Sequence, residues 1–313
     1  MKFKYFNFIA LSLLIVVLLS GFHNEKRVIT RSIISEKEFN LCFPLRNKFY
    51  SYAAFTSAVN EMAAVKIKIE KRGDWIYKIN RTNKNTGKIT VVRQDKDWDE
   101  NWAKQKPYQS AEIDYADFCT SKKEFSAIFA HMAHETRNGT NNKYNDGLML
   151  IQELVTDSAY ISQNVIYPAV NGKKYYGRGP LQLSYNGNYG FASDCIFGDK
   201  NILLNNPDLV SLNAKIAFET AIYFWMTPQS LKPSAHDVIT GKWKPTAAEN
   251  QKGYKPGFGM TINIINGKLE CNKGENIPAM KDRIGFYQHF LKLFKTNDIN
   301  GMCSCAQMTP FSD

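Results

Sequence analysis

Two acidic residues, Glu135 and Glu153, are the best candidates in this sequence for acid–base chemistry. From Phe125 to Met132 apolar residues recur at i, i+3, i+4 and i+7, which predicts an amphipathic helix. At about 100° per residue, Glu135 falls roughly 70° from the centre of the apolar stripe. A carboxyl group at the margin of a buried face is partly desolvated, so its pKa rises, as a general acid requires. The alternative is an ordinary solvated helix carboxylate.

Other reaction chemistries fit the sequence poorly. His134 and Glu135 begin like the zinc motif H-E-x-x-H, but residue 138 is Asn, so the second metal ligand is missing. Ser184 follows a leucine and lies in no G-x-S-x-G elbow, and no glycine-rich phosphate loop is present. We therefore expect no metal and no other cofactor. Two carboxylates among Tyr, Trp, Asn and Gln are instead typical of a glycosidase, which needs an acid, a base, stacking rings and amides.

The size and charge of the chain limit its partners. Its 313 residues, 44% of them hydrophobic, are enough for one large domain or two small ones. The net charge of +11 suits a soluble protein or one attracted to an anionic polymer such as a bacterial wall. The basic residues are spread along the chain without a cluster, so we expect no nucleic acid partner, and we expect a monomer.

The N-terminus indicates export. Lys2 and Lys4 precede an apolar run over residues 6–22, which predicts a secretory signal peptide. The run is long and its cleavage site is poorly marked, so an uncleaved membrane anchor is the alternative. Residues 23–40 are predicted to form a polar tether. Export predicts a secreted location, extracellular or periplasmic, and suggests that some of the six cysteines form disulfides.

The rest of the chain is predicted to be mainly helical with one β-rich insertion. Helical spacing appears over residues 49–64, 214–226 and 284–294. Residues 66–70 alternate as a strand does, and two further strand candidates, 75–79 and 89–93, flank a turn-rich segment that predicts a hairpin. Trp98 and Trp102 suit core or lid packing better than sugar stacking. The fold class is therefore mainly α (α+β), with the insertion at 66–110.

Several long motifs resemble those of the family 19 glycoside hydrolases, the plant-type chitinases. Residues 130–136, AHMAHET, are similar to the family's first signature, and residues 175–190, YYGRGPLQLSYNGNYG, to its second. Three further motifs follow in the family's order, at 224–229, 257–267 and 282–287. The similarity covers roughly residues 42–293 and implies a lysozyme-like, two-lobed helical fold with a sugar cleft. The catalytic domain would span residues 41–300, followed by a tail at 301–313.

The resemblance also implies residue roles. Glu135 matches the family's general acid, Glu153 its general base, and Ser184 the residue that holds the attacking water. Family members invert anomeric configuration. Glu270 and Arg283 match a charged pair near the carboxylates, and we expect this arginine to keep Glu153 ionised. The positions that match substrate-binding residues are His134, Gln182, Asn188, Gln229, Lys232, Asn266, Glu270 and Arg283.

The sequence also departs from the plant pattern. Only 17 residues separate the two acids, which implies a shorter loop and a more open cleft. Gly187 replaces a tyrosine of the second signature. Met149 stands where plants have the partner of Cys42, so Cys119 is the expected substitute. Cys271 matches a cysteine that pairs with the C-terminal tail, here Cys303 or Cys305. No cysteine-rich chitin-binding module is present, and the insertion has no counterpart that assigns it a role.

Three functions fit these observations. The first is an exported chitinase that cleaves β-1,4 bonds between N-acetylglucosamine units of chitin or chitooligosaccharides. The second is a lysozyme-like hydrolase of the same fold that cleaves peptidoglycan, which shares this sugar unit. The third is a catalytically silent sugar-binding protein, against which the presence of both Glu135 and Glu153 argues.

Overall fold

One helix, α4 (Lys122–Glu135), is buried over ten consecutive residues and ends on the first candidate carboxylate. Its N-cap is Ser121, whose hydroxyl accepts a hydrogen bond from the amide of Glu124. Phe125, Phe129 and their apolar neighbours face the core, as the spacing predicted, and α12 packs along the helix. Phe129 contacts Phe43 edge to face, with the ring centroids 4.9 Å apart. Burial on this scale fixes the position of Glu135.

The structure is a computed structural model that describes residues 34–139, 143–229, 232–299 and 301–311. The predicted signal peptide or anchor, residues 1–22, lies outside the described residues. Within them the protein is mainly helical, which confirms the predicted class. The helices are α1 (Glu36–Cys42), α2 (Tyr52–Ala63), α3 (Asn101–Lys104), α4, α5 (Asn186–Phe197), α6 (Asn201–Asn205), α7 (Leu209–Leu212), α8 (Ala214–Met226), α9 (Ala235–Thr240), α10 (Ala247–Gln251), α11 (Phe258–Glu270) and α12 (Pro278–Leu293).

The insertion forms a four-stranded antiparallel sheet with the order β3-β2-β1-β4. The strands are β1 (Val65–Arg72), β2 (Ile76–Asn83), β3 (Ile89–Gln94) and β4 (Tyr108–Asp114). The predicted hairpin is β2–β3. Ile67, Ile79 and Ile113 are buried from one face of the sheet. From the same face Arg81 donates to the carbonyls of Cys195 and Ile196 in α5, at 2.9 and 2.7 Å, so the sheet is fastened to the helical domain.

Residues 23–33 of the predicted tether lie outside the described residues, and its last residues are helical. Residues 36–42 form α1, which begins with a capping box between Ser35 and Glu38. Phe39 is fully buried and stacks on Phe55 with the centroids 5.3 Å apart. The expected boundary at residue 40 is therefore wrong, because an aromatic contact draws this segment into the core.

One of the expected disulfides is present. Cys271 is bonded to Cys305, 34 residues later, which ties the C-terminal tail to the end of α11. Cys42 and Cys119 are both free and buried, so the expected substitute pair is not formed. Burial raises the pKa of both thiols, and they behave as small apolar side chains. Cys303 is also free.

Among the described residues, no helix is long and apolar enough to cross a membrane.

Candidate active site

Glu135 is the last residue of α4, and its carboxylate is bound by an arginine. Its side chain is about 20% exposed. Arg283, fully buried on α12, donates from Nη2 to Glu135 Oε1 at 2.5 Å. The same guanidinium donates to both carboxylate oxygens of Glu270. The prediction that Arg283 keeps Glu153 ionised gains no support from a direct contact, because its hydrogen bonds among the described residues run to Glu135, Glu270 and His131.

The arginine stays charged because two acids face it. Burial lowers the pKa of Arg283, but the charges of Glu135 and Glu270 outweigh that effect and raise it overall. Burial, together with the charge of Arg283, lowers the pKa of His131 well below its usual value, so this imidazole is neutral. Its Nδ1 accepts from Arg283, which has only donors, so its Nε2 donates to Thr261 Oγ1 at 2.9 Å.

Asn266, on α11, joins this cluster, and Lys232 contacts the same helix. Asn266 donates from Nδ2 to Glu270 Oε1 at 2.8 Å. Its backbone departs from helical geometry, with φ −145° and ψ 34°, so α11 is kinked at this position. Lys232 donates from Nζ to the carbonyl of Ile264 on the same helix, at 3.3 Å. The structure thus brings Asn266 and Glu270 to the Glu135 side of the site, and Lys232 to the helix that carries them.

His134 is held from behind by an acidic residue. Its Nδ1 lies 2.8 Å from Asp282 Oδ2, and Asp282 Oδ1 accepts from Arg137 at 2.7 Å. Burial raises the pKa of Asp282, but the hydrogen bond from His134 and the charges of His134, Arg137 and Lys143 lower it overall. An ionised Asp282 accepts the Nδ1 proton, which fixes the orientation of the imidazole.

Glu153 lies in an extended segment with neutral hydrogen-bond donors. The amide of Glu153 donates to Gly177 O at 3.0 Å, and that of Gly179 donates to Ile151 O at 2.8 Å, so the two segments pair. The Gly177 amide donates to Glu153 Oε1 at 3.2 Å, and the hydroxyl of Tyr160 donates to Oε2 at 2.9 Å. The two candidate carboxylates therefore differ: one is paired with a guanidinium and the other with neutral groups.

Tyr160 was not identified from the sequence. The hydrogen bond to Glu153 raises its pKa, and its ring contacts Tyr185 with the centroids 5.2 Å apart. Tyr185 is 47% exposed. The one sequence signal is a tyrosine seven residues beyond Glu153, in a stretch with no periodic pattern.

The second signature gathers three more candidates next to Glu153. A methyl group built on Gly177 would lie 2.9 Å from Gln182 Oε1 and 3.4 Å from Ser184 Oγ, so both side chains crowd this backbone. Ser184 Oγ donates to Gln182 O at 2.9 Å, and Asn188 Nδ2 donates to Ser184 O at 2.9 Å. Gln182 has φ 49° and Tyr185 has φ 71°, an uncommon backbone that concentrates at functional sites.

One backbone contact joins the two halves of the site. The carbonyl of Thr136, next to Glu135, accepts from the amides of Met149 and Leu150 at 3.1 and 3.0 Å. Three residues from Leu150 to Glu153 span at most about 11 Å. The loop that carries Glu153 is therefore anchored at the end of α4, which keeps the carboxylates in one neighbourhood.

Gln229 is the candidate that the described contacts do not connect to either carboxylate. Its backbone pairs with that of Lys232, with hydrogen bonds of 2.9 and 3.2 Å. Its Nε2 is buried and makes no hydrogen bond with the described residues. As for metals, the described part of the chain contains no group of three or more His, Cys, Asp or Glu residues placed to hold an ion.

Comparisons with known proteins agree on the family. A family model described as "Chitinase class I" matches residues 102–304. The basic endochitinase of Vitis vinifera is 45% identical over 199 residues, which cover 62% of this chain and 62% of the relative. The inactive chitinase-like protein 1 of Hevea brasiliensis is also 45% identical over 199 residues, with the same coverage of 62% and 62%. The chain spans 60–62% of the length of the first curated relatives that it matches.

The fold has solved counterparts as well. The crystal structure of chitinase C from Streptomyces griseus HUT6037 has a TM-score of 0.56 and 27% identity, over 87% of this chain and 80% of that one. The predicted lysozyme-like fold is confirmed.

Proposed function

The chain belongs to the class I chitinase family, the family 19 glycoside hydrolases, and on that premise we propose that it is an exported endochitinase. Its substrate would be chitin or a chitooligosaccharide, cleaved at β-1,4 bonds between N-acetylglucosamine units. The observation that carries the proposal is the unlike surroundings of the two carboxylates. Glu135 is bound by the buried Arg283, whereas among the described residues the Gly177 amide and the Tyr160 hydroxyl bind Glu153. Environments that differ in this way suit an acid and a base with separate roles.

The proposed reaction is a single displacement. Glu135, protonated, gives its proton to the oxygen of the leaving sugar, while Glu153 takes a proton from a water molecule that attacks the anomeric carbon from the opposite face. Inverting enzymes need their carboxyl groups about 6.5–9.5 Å apart to admit this water.

Ser184 is proposed to hold the attacking water, because its hydroxyl lies beside the Gly177 backbone that bonds Glu153. The proposed substrate-binding residues supply amides and charges, and the buried Glu270 and Arg283 would act through their hydrogen bonds to Asn266 and Glu135. They are His134, Gln182, Asn188, Gln229, Lys232, Asn266, Glu270 and Arg283.

Peptidoglycan is the alternative substrate. The net charge of +11 favours attraction to an anionic wall, and chitin is uncharged. A silent sugar-binding protein is the third candidate, since one relative with 45% identity is named inactive. The hydrogen-bonded positions of both Glu135 and Glu153 support an active enzyme.

The stereochemistry of the first product tests the mechanism. Proton NMR at early times on a chitin hexamer should show the α-anomer first, because one displacement on a β-linked sugar inverts it. A β-anomer appearing first would overturn the role of Glu153 as base. Glu153→Gln should be far more damaging than Ser184→Ala, because neighbouring amides still hold water when the base is intact. Parallel incubation with purified peptidoglycan decides between the two substrates.

The location is a separate proposal. Sequencing the N-terminus of the exported protein separates a cleaved signal peptide from an anchor. A chain that starts near residue 23 and leaves the membrane fraction supports secretion. We also propose a monomer, which sedimentation equilibrium tests directly.

A further inference from the structure

Three aromatic side chains are exposed together at one end of the inserted sheet. Trp75, Trp102 and Tyr108 are 59%, 45% and 52% exposed. Arg72, at the end of β1, pairs with Ile76 on one side and with Tyr108 on the other, so the turn that holds Trp75 lies beside the start of β4. The amide of Gly73 donates to Pro107 O at 2.9 Å, which brings the two connections together.

Helix α3 places Trp102 at the same end. Its residue Ala103 is buried against Ile76 and Trp98 in a small apolar cluster apart from the main core. Trp102, the neighbouring residue, stays largely in solvent. We refer to Trp75, Trp102 and Tyr108 as the aromatic surface.

The aromatic surface is not needed to pack this end of the sheet. That role falls to Trp98, which is 5% exposed. The guanidinium of Arg72 lies 4.3 Å from the Trp98 ring centroid and donates to the Trp98 carbonyl at 2.9 Å. Because Trp98 already closes the cluster, the exposed rings of Trp75 and Trp102 are available for contacts outside the chain.

A cavity of about 390 Å³ opens beside Trp75, the one member of the aromatic surface that lines it. A volume of this size is at the lower end of the range for small-ligand sites. Its lining combines an indole ring with polar and charged groups: Arg72, Asp74, Trp75, Lys106, Pro107 and Gln109. Such a lining suits an amphipathic ligand that has a flat apolar face and hydrogen-bonding edges.

The aromatic surface lies away from the catalytic residues. The sheet joins α4 at its N-terminal end, through β4 and a short 3-10 helix at residues 115–117, and Glu135 is about 20 Å along this helix. The sheet also contacts α5 at its C-terminal end, through Arg81, whereas Asn188 is in the first turn of α5. Trp75 lies beyond Ile76, at the opposite end of β2 from Arg81, a further span of about 17 Å along the strand.

We propose that the aromatic surface is a second carbohydrate site, which binds a β-1,4-linked N-acetylhexosamine polymer apart from the catalytic cleft. The pyranose rings of such a polymer present flat C–H faces that pack on indole and phenol rings. Asp74 and Gln109 supply acceptors and donors for hydroxyl and acetamido groups at the edge of the cavity. The choice of sugar rests on the proposed function; the position of the site does not.

The test compares binding to an insoluble polymer with hydrolysis of a soluble one. The variants are Trp75→Ala and the double variant Trp75→Ala/Trp102→Ala. The control is Leu212→Ala, which removes a side chain that is 77% exposed on α7. Depletion of the protein by insoluble chitin gives the affinity, and hydrolysis of a soluble chitin hexamer gives the activity. A parallel arm with purified peptidoglycan identifies which polymer supplies the shared sugar.

We expect the dissociation constant for the insoluble polymer to rise about tenfold in Trp75→Ala and further in the double variant. Hydrolysis of the hexamer should stay at the level of the parent protein and of Leu212→Ala. Unchanged polymer binding in the double variant would overturn the second site and leave the proposed function standing. An equal loss of hexamer hydrolysis would also overturn it, by assigning the rings to the catalytic cleft.

Two further outcomes are decisive. If the parent protein hydrolyses neither polymer, the proposed function fails, and loss of binding in Trp75→Ala still supports the second site. If the parent is a dimer by sedimentation and Trp75→Ala is a monomer with unchanged polymer binding, the aromatic surface is a contact between copies and the proposal is wrong.

Discussion

Arg283 donates from a single nitrogen, Nη2, to Glu135 and to Glu270. The guanidinium is fully buried, and the Glu270 side chain is 1% exposed. One positive charge is therefore shared by a carboxylate of the candidate catalytic pair and by a carboxylate that never reaches solvent. The stability of the fold and the charge beside Glu135 therefore depend on the same side chain.

We expect Arg283→Met to lower the free energy of unfolding by about 3–5 kcal/mol, because Glu270 is left as an unpaired buried charge. Urea denaturation measures the change. The control is Lys66→Met, which breaks the exposed pair with Glu112 and should leave the midpoint where it is. Equal midpoints for the two variants would contradict the importance of the buried pair.

Glu135→Gln should abolish turnover and keep most of the affinity for a chitooligosaccharide. The amide fills the same volume but cannot donate a proton to the leaving oxygen, so kcat should fall by about 10²–10⁴-fold or more. Calorimetry with a chitooligosaccharide measures the affinity that is retained. Near-normal turnover in this variant would exclude Glu135 as the general acid.

Tyr160→Phe tests the tyrosine that the sequence did not reveal. The variant removes one hydrogen bond to an ionised carboxylate, worth about 1.5 kcal/mol, so kcat should fall about tenfold with little change in KM. Tyr52→Phe is the matched control, because the Tyr52 hydroxyl donates to the Ile34 carbonyl rather than to a candidate site residue. Activity equal to that of the control would show that Gly177 alone positions Glu153.

The bond between Cys271 and Cys305 should stabilise the fold by about 2–4 kcal/mol, because it closes a loop of 34 residues. Cys271→Ser is expected to lower the unfolding midpoint by the corresponding amount. Cys303→Ser, which removes a free thiol, is the control. Peptide mapping without reduction should recover Cys271 joined to Cys305, and a linkage to Cys303 would contradict the structure.

We expect the free energy of unfolding to fall as the pH rises toward neutrality, because two acidic residues are buried. Burial raises the pKa of Asp194 and of Glu219 to about 7 each. Between about pH 4 and pH 7 the folded state holds protons that the unfolded state has released, so the stabilisation present below pH 4 is lost through this window. In Asp194→Asn the free energy of unfolding should fall less steeply with pH, by about 1.4 kcal/mol per pH unit. A slope equal to that of the parent protein would refute the assignment to Asp194.

The sequence predicted the elements whose pattern is local. The 3.6-residue spacing of Phe125, Phe129 and Met132 predicted α4, and alternation with a turn-rich link predicted β1 and the β2–β3 hairpin. Strand β4 escaped prediction because Tyr108–Asp114 has few apolar residues, and its pairing with β1 joins segments distant in the chain. The helix α1 was missed because one aromatic residue, Phe39, provides its anchorage.

The sequence indicated which residues form the candidate site, but it did not show which hydrogen bonds they make. The family resemblance predicted roles for Glu135, Glu153, Gln182 and Ser184, but their hydrogen-bond partners depend on tertiary structure. Arg283 reaches Glu135 from 148 residues away, and no local pattern shows which acid it binds. Tyr160 lies in a stretch without periodicity, where only the folded loop brings a hydroxyl to Glu153.

The anchorage of Leu150 to the Thr136 carbonyl has a consequence for how this fold tolerates change. The stretch from residue 137 to 148 begins and ends at fixed hydrogen bonds, and Asp146 caps the amides of Asn138 and Gly139 within it. We therefore expect the length of this stretch to change without altering the separation of Glu135 and Glu153.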